Sequence, residues 1–558
     1  MSRLDFARLR RWLAAHHAAA RGGPSALERL EAANAQRASR RAFLGQVGAL
    51  AAATALPFEL GAGCASTGAA APKDRSVAAS GLRIAIVGGG MAGLACCDRL
   101  ARAGVHAEVY EASGRPGGRM LSPRGLWPGF EQHAVELGGS FVNSTHTALL
   151  RHVRELGLEL IDARDDRADL ERPYVIGGRR YREAEIIARF EPVARAVRAA
   201  RDTLVDGGDD VGYTTPAGAE TLDRQSVAEF LEGAGGDMVV SVALEAIYTT
   251  EYGMPVGEQS ALNLVLELGV DDPETIRPIV ESDEVFTLPG GVERIPEALA
   301  RRLKDRVHYG KRLEAVREDG LGGYVLTFED AFGGGAADVP ADVVVMALPF
   351  TILRDLELRV ELPAVKWRAI KELGYGSNAK LLVPFRTPFW RDAGFSGDGV
   401  LEVDNQTTWD ATRQRNTPLA VITDYTGGER GISLGQGTVA EQVERFMAPF
   451  EALYPGARGQ LAGAGVRKHW PSVPTVKASY SAYRVGQWTG IAGAEIEPVG
   501  AMYFCGEHTS REHQGYMNGA AETGEQAADA VLARLDGNAV GWGAAPRACR
   551  RRPIARTA

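Results

Sequence analysis

Gly88-Gly89-Gly90-Met91-Ala92-Gly93 is a G-x-G-x-x-G that directly follows a β-branched run at 82–87, and Glu111 ends a second apolar run 23 residues after Gly88. That spacing belongs to a strand, a glycine turn, a helix and a second strand, a unit that cradles a dinucleotide. Gly88 permits the tight turn, Gly90 lets the backbone approach a pyrophosphate, and Gly93 lets helix and strand pack closely. The amides at the helix start, around Met91 and Ala92, receive phosphate charge. Glu111 accepts from the two ribose hydroxyls and repels a 2′-phosphate, so the nucleotide is of the FAD or NAD kind. Arg119, which ends Arg115-Pro116-Gly117-Gly118-Arg119, offers a forked donor to a doubly charged pyrophosphate. Glu136-Leu137-Gly138-Gly139-Ser140 adds a second glycine pair where backbone can lie against a flat ring.

Lys380 stands inside an otherwise apolar strand pattern, and alternation turns it to the face opposite Ala379 and Leu381. A lysine there either guards an exposed sheet edge or takes part in chemistry, and the pattern alone leaves both open. Asp404, Trp409 and Tyr425 fall in a stretch that either lines a pocket or forms ordinary surface loops. The five cysteines (Cys64, Cys96, Cys97, Cys505, Cys549) make no C-x-x-C pair, so neither a zinc site nor a disulfide framework is expected. No metal-ligand, Ser-His-Asp or nucleophilic-cysteine set is legible.

These residues need a scaffold. The 558 residues, 45% apolar and 24% charged, suit two globular domains rather than one core or a disordered chain. Gly 67 and Pro 27 make about one residue in six, which points to a loop-rich α/β enzyme rather than a helical bundle. A formal net charge of −8 argues against nucleic acid as a partner. The basic share is concentrated at the start, where residues 1–70 hold nine Lys/Arg and four Asp/Glu. Arg40-Arg41 precedes a mildly apolar stretch at 42–58 and a small-residue tail containing Cys64. This is the pattern of a twin-arginine (Tat) export signal, too short and weakly apolar for a permanent transmembrane span. It predicts a periplasmic or extracellular protein, handed to the Tat machinery already folded, with Cys64 as an optional lipid anchor.

The succession strand-GxGxxG-helix-strand-Glu111, then Arg115 to Arg119, then Glu136 to Ser140, resembles the flavin-containing amine oxidase family of monoamine and polyamine oxidases. The resemblance runs from about 82 to 535. It implies an α/β fold: a Rossmann-like FAD-binding domain in discontinuous segments (82–162, 283–360, 470–536) and an α+β substrate domain (163–282, 361–469). Around these lie the signal and extension at 1–70, a linker at 71–81 and a basic disordered tail at 537–558. It further implies that Val307 pairs with the adenine, that Gly506, Glu507, Tyr516 and Met517 meet the ribityl chain and flavin, and that Lys380 holds a water near flavin N5. Tyr480 and Tyr516 match the aromatic pair that flanks the amine. Relatives with covalent FAD carry a cysteine where this chain has Ser479, so FAD is expected to be non-covalent. The implied reaction is hydride transfer from the amine α-carbon to flavin N5, imine hydrolysis to a carbonyl compound, and reoxidation by O2 to H2O2. No acid–base side chain is required if the amine enters neutral. Relatives acting on L-amino acids place an arginine beside the glycine pair, where this chain reads Ser140-Phe141-Val142, which favours an amine lacking an α-carboxylate. The alternatives are an L-amino-acid oxidase of the same fold, a carotenoid- or porphyrinogen-type flavin desaturase, and a non-catalytic exported binding protein.

Overall fold

The computed structural model describes residues 81–537, apart from 165–169, 209, 271–276, 279–281 and 405. The chain divides into two compact units, Met1–Asp74 and Arg75–Ala558. The first unit, and with it the export signal, Cys64 and the linker, lies outside the described residues, as does the tail from 538 onward. Among the described residues no helix is long and apolar enough to cross a membrane.

Ile84–Val87 is buried at all four positions, as a strand covered on both faces must be. It is the centre of a five-stranded sheet whose order is Met502–Phe504, Val343–Met346, Ile84–Val87, Glu108–Glu111, Val307–Tyr309. Every pairing in it is parallel. Strands from the start, middle and end of the unit therefore sit side by side, and each return requires a crossover. The helices Met91–Arg102 and Met517–Leu535 pack across this sheet so closely that a Cβ on Gly524 would fall 2.2 Å from the Ala92 carbonyl oxygen. A four-stranded sheet made of Gly335–Ala341, Tyr324–Asp330, Lys311–Glu318 and Glu357–Arg359 accompanies it.

The second large sheet has seven strands, in the order Val466–His469, Ala379–Phe385, Ala420–Thr426, Gln406–Asp410, Gly399–Leu401, Pro173–Ile176, Arg179–Arg182. Ala379–Phe385 pairs on both sides, antiparallel to Ala420–Thr426 and to Val466–His469. It is thus an interior strand, which removes the edge-guarding account of Lys380. Its alternation is clean: Ala379, Leu381, Val383 and Phe385 enter one apolar core with Trp390 and Phe446, while Leu382 faces another with Trp127 and Val421. The sequence pattern predicts one helix over 183–204 and another over 226–248 in the substrate domain, and both are broken. Residues 183–204 form Glu183–Ile187 and Glu191–Arg201, the second with a proline in its first turn. Residues 226–248 form Val227–Gly233 and Met238–Tyr252, restarted by Asp237, whose side chain caps Val239 N–H. In both cases local stop and start chemistry overrides the apolar period.

Candidate active site

The site begins at the carboxyl end of the parallel sheet. Gly88 has a φ of 110°, and a Cβ on it would stand 2.5 Å from the Ala347 carbonyl oxygen. On Gly93 a Cβ would lie 1.9 Å from the Gly88 carbonyl oxygen, so only glycine lets helix and turn meet. Over Gly90 the reverse holds: a Cβ would meet nothing within 4 Å. The helix starting at Met91 has no side-chain cap, and uncapped amides beside open space suit a phosphate. Glu111, buried at the strand end, accepts from Gly89 N–H at 2.7 Å and from Ser113 N–H and Oγ at 2.8 and 2.7 Å. A carboxylate has about four acceptor positions, so room for a sugar hydroxyl remains. Val307 is buried next in register to Val109, at the sheet's far edge. The residues present fit a dinucleotide.

Arg119 and Glu507, expected as separate cofactor contacts, bind one another. Arg119 donates to Glu507 Oε1 at 2.8 Å and to the Ser479 carbonyl at 2.6 Å. Glu507 also accepts from Ser481 Oγ at 2.7 Å and Gly515 N–H at 2.9 Å. Burial would raise this carboxyl, yet Arg119 and His508 outweigh it and hold it below the ordinary range. In this arrangement Arg119 joins three segments of the cradle through one nitrogen, Nη1. Gly506, at φ 145°, donates its N–H to Thr523 Oγ1 at 3.0 Å.

The second glycine pair is as tightly specified as the first. A Cβ on Gly138 would sit 1.7 Å from the Arg119 carbonyl oxygen, and one on Gly139 2.5 Å from Met517 Sδ. Lys380 reaches this pair. Its Nζ donates to the Gly138 carbonyl at 2.5 Å and to Ser140 Oγ at 2.6 Å, with the Glu136 carbonyl at 3.4 Å. The Trp409 and Tyr425 rings lie 5.1 and 5.7 Å from Nζ. Burial pushes Lys380 below the ordinary lysine range, against the pull of Glu136 and Glu284. Asp404, in contrast, points away and forms a paired contact with Arg445, both bonds at 2.8 Å.

Tyr480 and Tyr516 meet through a residue that sequence reasoning missed. The Tyr480 hydroxyl donates to the Glu251 carbonyl and lies 2.8 Å from the Tyr425 hydroxyl; the Tyr516 hydroxyl donates to Glu251 Oε1 at 3.3 Å. Gly515, at φ 84°, lets the chain pass Tyr480, where a Cβ would come within 3.2 Å of the ring. His146 packs edge-on to Tyr516 with centroids 5.3 Å apart, and burial lowers it to about 3, so it is neutral. A signal for Glu251 was present. It follows Leu244, Ile247 and Tyr248 on the buried stripe of its helix, where a carboxylate is out of place. Ser479 is buried, its Oγ donating to Asn378 Oδ1 at 2.6 Å, and burial pushes the Cys505 thiol up to about 12.

A parallel sheet with an open glycine turn, an acid at the next strand end and a lysine-and-tyrosine chamber beside it defines a dinucleotide-binding oxidoreductase. The family model for the flavin containing amine oxidoreductases matches residues 91–532, and the chain belongs to that family. It is accordingly a flavin-dependent amine oxidase with a flavin as cofactor. Among its relatives are an L-amino acid dehydrogenase from Synechocystis sp. and the flavin-containing amine oxidase B of Cavia porcellus, each 25% identical. The alignments cover 81% of this chain and 94% of the first relative, and 82% and 86% for the second. Similar solved structures include cyclohexylamine oxidase from Brevibacterium oxydans, with a TM-score of 0.71, 21% identity, and coverage of 82% of this chain and 99% of that one. A putrescine oxidase bound to putrescine follows at TM-score 0.69 and 21% identity, covering 81% and 99%.

Proposed function

We propose that the protein oxidises a small amine at the carbon next to nitrogen and that O2 is the final acceptor, giving an imine that hydrolyses to a carbonyl compound, with H2O2. The observation that carries this is Lys380, buried on an interior strand with its Nζ on Gly138 and Ser140 and the tyrosine chamber beside it. A bound FAD supplies the two-electron acceptor, and the protein supplies placement, dryness and electrostatics. In this reading Gly88, Gly90, Met91, Ala92, Gly93, Glu111 and Val307 hold its nucleotide half, while Gly138, Gly139, Ser140, Gly506, Glu507 and Met517 hold the other. Arg119 acts through Glu507. Tyr480 and Tyr516 exclude water and orient the amine. Lys380, whose proton burial loosens, gives or takes a proton at Nζ beside the glycine pair. FAD is held non-covalently, because position 479 offers a hydroxyl that is already bonded to Asn378.

A second reading, oxidation of an L-amino acid, has its own support. Arg413 and Arg415, from the second substrate-domain segment at 361–469, line a cleft with Ser140, Phe141 and Trp409, which brings arginine toward the glycine pair by a route other than the neighbouring residues. Both are engaged, Arg413 with Asp398 and Arg415 with the Ala134 carbonyl at 2.7 Å, which favours the plain amine. Anaerobic mixing of the flavin-loaded protein with amines and with L-amino acids separates the two: amines should bleach the flavin, and peroxide should appear when air is admitted. Bleaching by amino acids alone would overturn the first reading. We also propose that residues 1–70 direct Tat export into the periplasm or beyond. Replacing Arg40 and Arg41 by lysine should then leave active enzyme in the cytoplasm.

A further inference from the structure

Glu251, Tyr480 and Tyr516 are each half-buried, and both tyrosine hydroxyls reach Glu251. Among the described residues its carboxylate has one hydrogen bond, the long one from Tyr516. The groups that act on it come from every side. Tyr516 lies at the head of the last helix, Glu284 before the short strand Phe286–Thr287, and Glu267 on the helix Ala261–Glu267. Tyr480 and Tyr425 face it from two further segments, and Tyr248 and Tyr252 from its own helix. None of them is a cation. Glu284 differs, since Arg172, Arg413 and Lys380 all offset its charge. A buried carboxylate with no cation is costly unless it takes up a proton or meets a positive ligand. Here the carboxylate meets the Tyr516 hydroxyl, and the Tyr480 hydroxyl bonds the backbone carbonyl of the same residue.

We infer that Glu251 deprotonates the substrate: its carboxylate receives the ammonium of the incoming amine and takes its proton, leaving a neutral nitrogen between Tyr480 and Tyr516. One N–H bond breaks and one O–H bond forms. The freed lone pair lets the α C–H be oxidised, its two electrons pass to the flavin, and the carboxyl returns its proton to water when product leaves. Burial first, then Glu284, raises this carboxyl to about 7, the range a base needs for working near neutral pH. The neighbouring His146 is also poised for a polar ligand, since its Nδ1 accepts from Asn143 N–H at 3.1 Å and its buried Nε2 has no partner among the described residues.

The inference rests on the amine-oxidase reading, and the test separates the two. Stopped-flow bleaching would be followed from pH 6 to 10 with benzylamine, cyclohexylamine and putrescine, for the wild type, Glu251→Gln and Glu251→Asp. Wild type should rise to a plateau above about pH 7 and fall once the substrate ammonium itself deprotonates. Glu251→Gln must wait for free amine, so its kcat/KM should climb about tenfold per pH unit until the substrate ammonium deprotonates and level off there, at least tenfold below wild type at pH 7. Glu251→Asp, which keeps the charge, should restore the plateau and decides the matter if Glu251→Gln does not load flavin. A Glu251→Gln profile parallel to wild type, or a Glu251→Asp profile without a plateau, overturns the inference alone. Failure of all three amines to bleach wild-type flavin overturns the underlying reading with it.

Discussion

Lys380 makes the sharpest prediction for a single side chain. Lys380→Met keeps the stem and removes the proton, so the variant should load flavin but lose at least about tenfold in the rate of amine oxidation, about 1.4 kcal/mol. An unchanged bleaching rate in a flavin-loaded Lys380→Met protein would remove its assigned role. Arg119→Ala predicts a different loss, because it strands a buried Glu507 whose charge Arg119 offsets. It should cost about 2–4 kcal/mol in chemical denaturation and weaken flavin retention; a variant as stable as wild type would show that the pair is dispensable. Single residues were legible where backbone geometry dictates the type, as at Gly88, Gly93, Gly138 and Glu111. Glu251 was not, because a lone acid on an apolar helix announces burial without saying what faces it. The Arg119–Glu507 pair escaped for a related reason: each residue reads locally as a ligand donor, and only the fold shows that they reach each other across 388 positions.

At the level of helices and strands, packing rather than polarity sets the vulnerable points. Gly524→Leu would drive a side chain into the Ala92 carbonyl, pushing the last helix off the helix Met91–Arg102. Overpacking of this kind costs typically about 1–3 kcal/mol, so melting temperature should fall by several degrees and flavin should leach from the variant during gel filtration. The interior strand Ala420–Thr426 carries a pH test. Among the described residues neither carboxylate oxygen of Asp424 has a hydrogen-bond partner, Arg430 stands 3.9 Å away, and burial raises the group to about 7 against that arginine's pull. The folded chain therefore keeps a proton that the unfolded chain releases near pH 4, and stability is lost as pH rises from about 4 to 7. Asp424→Asn escapes this loss, so its melting temperature relative to wild type should increase between pH 5 and pH 8. An equal difference at both values would refute the buried, protonated assignment. Strands and the two cofactor helices were readable because their apolar runs are uninterrupted. The patterns at 183–204 and 226–248 each look like one helix because the apolar stripe continues across Pro192 and Asp237, where capping and φ restriction end one helix and begin another.

For the whole unit, cofactor and stability are linked. A ligand that binds only the folded state at a hundredfold excess over its Kd adds about 2.7 kcal/mol. The melting temperature should therefore climb with added FAD and be indifferent to added NADP, whose 2′-phosphate Glu111 repels. The parallel sheet has one more implication. Its outermost strand, Met502–Phe504, and the uncapped helix that begins at Met517 reach the ribosome exit more than 400 residues behind Gly88. A nascent chain carries the first half of its cradle long before the second half exists. Pigment uptake must then be among the last events of biogenesis, and chains released early at any point upstream of these segments should emerge colourless.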